Sequence, residues 1–98
     1  MSKNKNICFE VTTSSPPIVE VDSEVGAYYI RFSKAKVART HEVPNDELHI
    51  AIDFGVKNQV VGIEVIGPIK IEIEKIMKKA RVSAPKVDFA SAQIALAS

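Results

Sequence analysis

The sequence predicts an α+β fold, a small antiparallel β-meander of about five strands with one C-terminal helix packed on one face. Three observations carry this. Several short segments rich in β-branched and aromatic residues alternate apolar with polar positions. Gly, Pro, Asn, Asp and Ser separate them at turn spacing. After Gly67 and Pro68 the apolar residues change from period two to helical recurrence.

The first strand is expected at 7–12. Ser14, Ser15, Pro16 and Pro17 end it, since two prolines cannot sit inside a central ladder. A short extended piece at 18–21 leads into Asp22, Ser23, Glu24 and Gly26, which supply turn chemistry. The segment 27–33 reads as a strand with Tyr28, Ile30 and Phe32 on one face and Tyr29 and Arg31 on the other. A further strand at 37–43 stops at Pro44, Asn45 and Asp46. Cleanest of all is 48–54, with Leu48, Ile50, Ile52 and Phe54 directed to the core and His49, Ala51 and Asp53 opposite. Gly55 and Asn58 close a hairpin into 59–66, where Val61, Ile63 and Val65 share the core face and Val60, Gly62, Glu64 and Ile66 share the reverse.

Beyond Pro68 the residues alternate like a strand, while Ile69, Ile73, Ile76, Met77 and Ala80 also recur like a helix face. The helix is favoured. Pro68 suits a first helical position, Glu72 and Glu74 lie nearer the start, and Lys75, Lys78, Lys79 and Arg81 crowd the end, as the macrodipole prefers. Residues 1–82 are thus expected to form one domain, and 83–98 a C-terminal tail that is either a short helix or disordered.

Length and charge bound the function. A chain of 98 residues buries roughly 60 to 70 per cent of its unfolded surface, which supports one modest core. A formal net charge of +1 at pH 7 gives no surplus cation for a sequence-independent hold on nucleic acid or an anionic membrane. The single cysteine, Cys8, forms no internal disulfide and reads as a buried structural thiol, which fits a reducing, cytoplasmic setting. No leader pattern and no membrane-length apolar run is expected. No phosphate-cradling glycine loop, dinucleotide fingerprint or nucleophile elbow occurs, so no cofactor is expected.

The polar candidates lie on the reverse face. Glu64 interrupts a greasy strand and is expected there beside Arg31 or the Tyr29 hydroxyl as a cross-strand pair. A sharper alternative draws Asp53, Glu64, Asp22 and Glu24 together with Tyr29 as a carboxylate site for a metal or for acid–base chemistry. Gly62 suits either a close ligand approach or an aromatic ring laid over it. His41 and His49 lack a third ligand at zinc spacing. Lys34, Lys36, Arg39, Lys75, Lys78, Lys79 and Arg81, with Tyr28, Tyr29 and Phe32 for stacking, would be the RNA reading, which the charge balance disfavours against a solvated face.

Asp22-x-Glu24-x-x-Ala27-x-Tyr29-Ile30-Arg31-Phe32-Ser33, then Val37-Ala38-Arg39-Thr40 with Glu42-Val43, then Asp53 and Val60-Val61-Gly62-Ile63-Glu64-Val65 carry a further signal. In order and spacing this set resembles the small prokaryotic family DUF2283, a domain of unknown function, over residues 21–66. The family usually has an acidic residue where Gly26 stands and an aliphatic one at Tyr28. Gly55 and Asn58 here take its later acidic and glycine positions, so fewer carboxylates remain for a metal. The resemblance carries over Asp22, Glu24, Tyr29, Asp53, Gly62 and Glu64 as a signature. It implies a mainly-β fold with a helix and no assigned activity. Members are often encoded beside small toxin-like proteins, which implies an antitoxin-like or accessory role. With Arg31 added, these residues make the expected functional surface of a non-catalytic, homo-oligomeric or partner-binding protein. Val60, Ile66, Tyr29 and Phe9 are its candidate contacts. The alternative is a small metal-dependent enzyme.

Overall fold

The computed structural model describes residues 9–11, 15–22, 24–67 and 73–97. Strands β1 (Phe9–Glu10), β2 (Ile18–Asp22), β3 (Ala27–Arg31), β4 (Arg39–Val43), β5 (His49–Phe54) and β6 (Val60–Ile66) precede helix α1 (Ile73–Ala80), followed by β7 (Val82–Ser83) and β8 (Gln93–Ala97). A six-stranded sheet runs in the order β4-β5-β6-β3-β2-β8, and β1 pairs with β7 as a separate two-stranded ribbon. All neighbours in the large sheet are antiparallel except β8, which lies parallel to β2. The fold is α+β, mostly sheet with a single helix among the described residues.

Strand order follows burial capacity. β6 is apolar at nearly every position, and a strand so composed belongs at the centre, where both ladder edges are occupied. β4 is exposed along most of its length and carries Arg39, His41 and Glu42, so it takes the outside position. The chain therefore does not continue as a plain meander after β3. It passes over to build β4 outside β5, and β3 pairs with β6.

One face of the sheet is dry. Val19, Ile30, Ile50, Ile52, Ile63 and Val65 are fully or almost fully buried there, and their alternation along each strand matches the pleat. α1 covers this face with Ile76, Met77 and Ala80, which join the same core cluster, while Glu74, Lys75, Lys78 and Lys79 point to solvent. Glu74 in the first turn and Lys78 and Lys79 in the last complement the helix dipole. Arg81 stops the helix in the left-handed region at φ 57°, and its N–H donates to the Lys78 carbonyl at 3.2 Å. The expected helix start at Pro68 lies outside the described residues, as does Cys8.

Three expectations are corrected. The segment after 83, expected as a short helix or loose tail, carries a 3-10 turn at Phe89–Ser91 and then β8. Phe89 fixes that passage by meeting Phe32 edge-on at 6.4 Å between centroids. Val60, expected on the reverse face, belongs to the core cluster, because a bulge shifts the β5–β6 register between Asp53 and Phe54 and sets Val60 opposite Phe54. Phe9, expected as a surface contact, packs edge-on against Phe54 at 5.0 Å, so its ring is spent on the core.

Truncating a fully enclosed side chain should cost far more than truncating one at the rim. Ile52, at 0% exposure, is expected to lose about 3 kcal/mol on replacement by Ala through lost transfer energy and the cavity left behind. Ile66→Ala, at 37% exposure, should cost less than about 1 kcal/mol. Urea unfolding of the two variants against wild type measures both.

Candidate functional site

The reverse face of the sheet carries no covering layer among the described residues. Its register rows place Thr40, Asp53, Gly62, Arg31 and Ile18 side by side across β4, β5, β6, β3 and β2. The next row runs Glu42, Ala51, Glu64, Tyr29 and Glu20. Strand alternation alone delivers these residues to one side.

Tyr29 is the centre of this face. Its ring lies over Gly62, where an added Cβ would fall among the ring carbons and the hydroxyl oxygen. The glycine is therefore a socket for the aromatic side chain, the ring-over-glycine arrangement known from strand pairs. Lying across β6, Tyr29 reaches a strand that it does not pair with, and its Oη donates to Asp53 Oδ2 on β5 at 2.8 Å. Thr40 Oγ1 on β4 donates to the other carboxylate oxygen, Oδ1, at 2.6 Å. Arg31 places its guanidinium 4.9 Å from the Tyr29 ring centroid and donates from Nη2 to Glu20 Oε1 at 3.0 Å. One chain of contacts thus runs from Thr40 through Asp53, Tyr29 and Arg31 to Glu20.

Burial pushes the Tyr29 phenol well above its ordinary value, and the hydrogen bond to the Asp53 carboxylate and the charge of that group push it further. Arg31 opposes this and Glu20 adds to it, both more weakly. The hydroxyl is consequently a neutral donor at neutral pH, so it supplies neither phenolate nucleophile nor base there. Asp53 has both oxygens engaged.

The remaining site residues divide. Glu64 Oε1 lies 3.6 Å from His49 Nε2, so its partner is the histidine rather than the expected Arg31 or Tyr29 hydroxyl, although Tyr29 stands opposite it in register. Both side chains are almost half exposed, which holds the worth of this contact to under about 1 kcal/mol. Asp22 and Glu24 do not join the network. Asp22 Oδ1 accepts from the Glu24 N–H at 3.1 Å, a local turn of the kind that Asp favours, at the β2–β3 end of the sheet. Among the described residues no three His, Cys, Asp or Glu side chains gather as a cation would need.

The histidines, the aromatic residues and the basic residues are also kept apart. His41 stands on the core-side row opposite Ile52, and His49 on the open-face row opposite Ile66, so the sheet lies between them. Tyr28 and Phe32 are buried, at 3% and 6% exposure, which leaves only Tyr29 of the three rings suited to base stacking on the surface. Lys79 is paired with Glu47 at 3.5 Å and Arg39 lies over the Phe54 ring at 4.2 Å, so the basic residues are partly engaged within the fold.

Sequence reasoning missed Thr40 and Glu20. Both occupy reverse-face positions by strand alternation: Thr40 bonds Asp53, its direct register partner across β4 and β5, and Glu20 is reached diagonally by Arg31.

These features define a class: a small α+β protein whose mostly antiparallel sheet is closed on one side and carries an ordered polar network around a tyrosine–glycine pair on the other. Residues 18–67 match the family model described as "Protein of unknown function (DUF2283)", which spans β2 to β6 and with them every residue of this network. The chain belongs to the DUF2283 family. No curated protein and no solved structure matches it significantly.

Two measurements check the centre of the face. Gly62→Ala should destabilise the fold by about 1 to 3 kcal/mol by driving the Tyr29 ring off its seat. Adding Gly62→Ala to Tyr29→Ala should cost much less, a coupling that a double-mutant cycle in urea reads directly. In a carbon-13 titration of labelled tyrosine, Tyr29 should ionise well above the ordinary value of about 10, and Asp53→Asn should bring it part of the way down, leaving the effect of burial. With the folded value raised, the linked stability is complete below about pH 10 and falls as pH rises through the folded value.

Proposed function

We propose that this chain is a non-catalytic protein-binding module of the cytoplasm, an accessory or antitoxin-like protein, and that its partner docks on the open face of the sheet. The observation that supports it most is the contrast between the two faces: α1, β1 and β7 lie over the one, while Tyr29 and Arg31 stand held in place on the other. Tyr and Arg are the residue types that concentrate binding energy at protein contacts, and side chains already fixed by neighbours lose little entropy on docking. The face is mixed in charge, with the Arg31 guanidinium set among the carboxylates of Glu20, Glu64 and Asp53, which suits a polar, complementary protein surface. The carboxylates that would serve chemistry are instead occupied: Asp53 by two hydroxyls, Glu20 by Arg31, Asp22 by a backbone N–H.

Co-expression with the product of the neighbouring gene, followed by light scattering behind a sizing column, is the test. A complex of defined stoichiometry is expected. Arg31→Ala and Tyr29→Phe, each verified as folded by circular dichroism, should weaken it at least tenfold, whereas Lys57→Ala at the exposed hairpin tip should not. A complex indifferent to both open-face variants removes the open face from the proposal. A melting temperature raised by divalent metal, with the rise abolished by Glu64→Gln, would put the metal-enzyme reading in its place.

A further inference from the structure

The two edges of the large sheet differ in kind. β4 presents Arg39, His41 and Glu42, the charged composition by which natural edge strands resist pairing. β8, at the other edge, reads Gln93, Ile94, Ala95, Leu96, Ala97, with no charge, proline or glycine in its five residues. Nothing in its composition blunts it. Ile94 is 64% exposed, an unusual degree for a β-branched residue within a strand.

The backbone of β8 specifies what can pair there. Gln93 N–H donates to the Pro17 carbonyl at 3.1 Å, so Gln93 and, by alternation, Ala95 and Ala97 direct their backbone groups toward β2. Ile94 and Leu96 direct theirs away from it. In an antiparallel ladder the residues that exchange both hydrogen bonds recur two apart, with a non-hydrogen-bonded pair between them. The outward positions 94 and 96 have that spacing.

We propose that a second copy of this chain pairs with β8 edge to edge, antiparallel, about a two-fold axis through Ala95. That register sets Ile94 opposite the partner's Leu96 and Leu96 opposite the partner's Ile94, which engages the outward groups of both residues in each copy. It also brings all five residues of β8 into the ladder, from Gln93 opposite the partner's Ala97 to Ala97 opposite the partner's Gln93. A strand that is its own antiparallel complement closes as a dimer, whereas parallel pairing of identical edges would not close by a two-fold. The axis stands perpendicular to the sheet, so both open faces fall on the same side of one continuous sheet.

β8 lies outside the family match at 18–67, within which β2 would be the outer strand. The dimer is therefore a property of what this chain adds beyond that unit. It goes beyond the open-face reading and stands independently of it, since it uses an edge rather than a face.

Light scattering across a concentration series, on the full chain, tests it. The mass should double as concentration rises. Ile94→Pro should abolish the doubling without unfolding the chain, because that N–H points away from β2 and proline is accepted at such edge positions. Ile94→Lys, which puts like charges near the axis, should do the same. Amide exchange at Ile94 and Leu96 should slow with concentration, while exchange at Ala95 stays protected throughout. A chain that remains monomeric at millimolar concentration overturns the proposal, as does a dimer that survives both Ile94 variants. A dimer lost on Arg31→Ala instead would place the two-fold on the open face, overturning the edge and leaving protein contact by that face standing. An edge dimer that binds no neighbour product would do the reverse.

Discussion

The Tyr29 ring seated over Gly62 is the constraint on which the open face depends. A side chain anchored on β3 crosses β6 and donates to Asp53 on β5, and Asp53 in turn accepts from Thr40 on β4. Four strands are cross-linked through one phenol and one carboxylate. The arrangement requires the absence of a Cβ at Gly62, for any larger residue would lift the ring and with it the hydroxyl. Burial and the hydrogen bond to Asp53 then favour the neutral phenol, and Arg31 is held between that ring and Glu20. The polar residues of this face therefore act on one another, which is why a surface rich in carboxylates is an ordered platform rather than a set of free acids and bases.

The same economy appears across the sheet. The dry side has enough aliphatic surface to seat one short amphipathic helix and a two-stranded ribbon, and the chain puts them both there. Nothing comparable is available for the other side from the described residues, so it keeps the polar half of each alternating strand. An antiparallel sheet tolerates this one-sided state well. The unequal edges follow from composition: the charged strand β4 is left outermost safely, and β2, which is partly apolar, is covered by β8. In shielding one edge the chain creates another, and the new edge is the less guarded of the two.

Much of this was legible in the sequence because period-two alternation is a local property. Leu48 to Phe54 and Ile63 to Val65 assign their faces from side-chain order alone, while a glycine amid β-branched neighbours left two readings for Gly62, of which the structure shows the aromatic ring. Where locality failed, the reading failed with it. Val60 lies beyond a bulge, and one unpaired residue reverses the face of everything past it. Thr40 and Glu20 were invisible as site residues because their contacts, direct from Thr40 to Asp53 and diagonal from Arg31 to Glu20, depend on which strands are neighbours and in what register. The segment from Gln93 to Ala97 alternates too weakly to announce a strand, and it becomes one because β2 offers it an open ladder.

The sequence by itself determined the α+β class, the positions of the central strands, the helix through Ala80, the dry and wet sides of β3 and β5, and membership of the DUF2283 family. Only the tertiary structure decided the strand order, the partners of Glu64, Arg31 and Asp53, and the use of residues 93–97 as a sixth strand. The physical reason is range: propensity and periodicity act over a few consecutive residues, whereas pairing between strands distant in the chain is chosen by the burial and hydrogen bonding of the whole sheet at once.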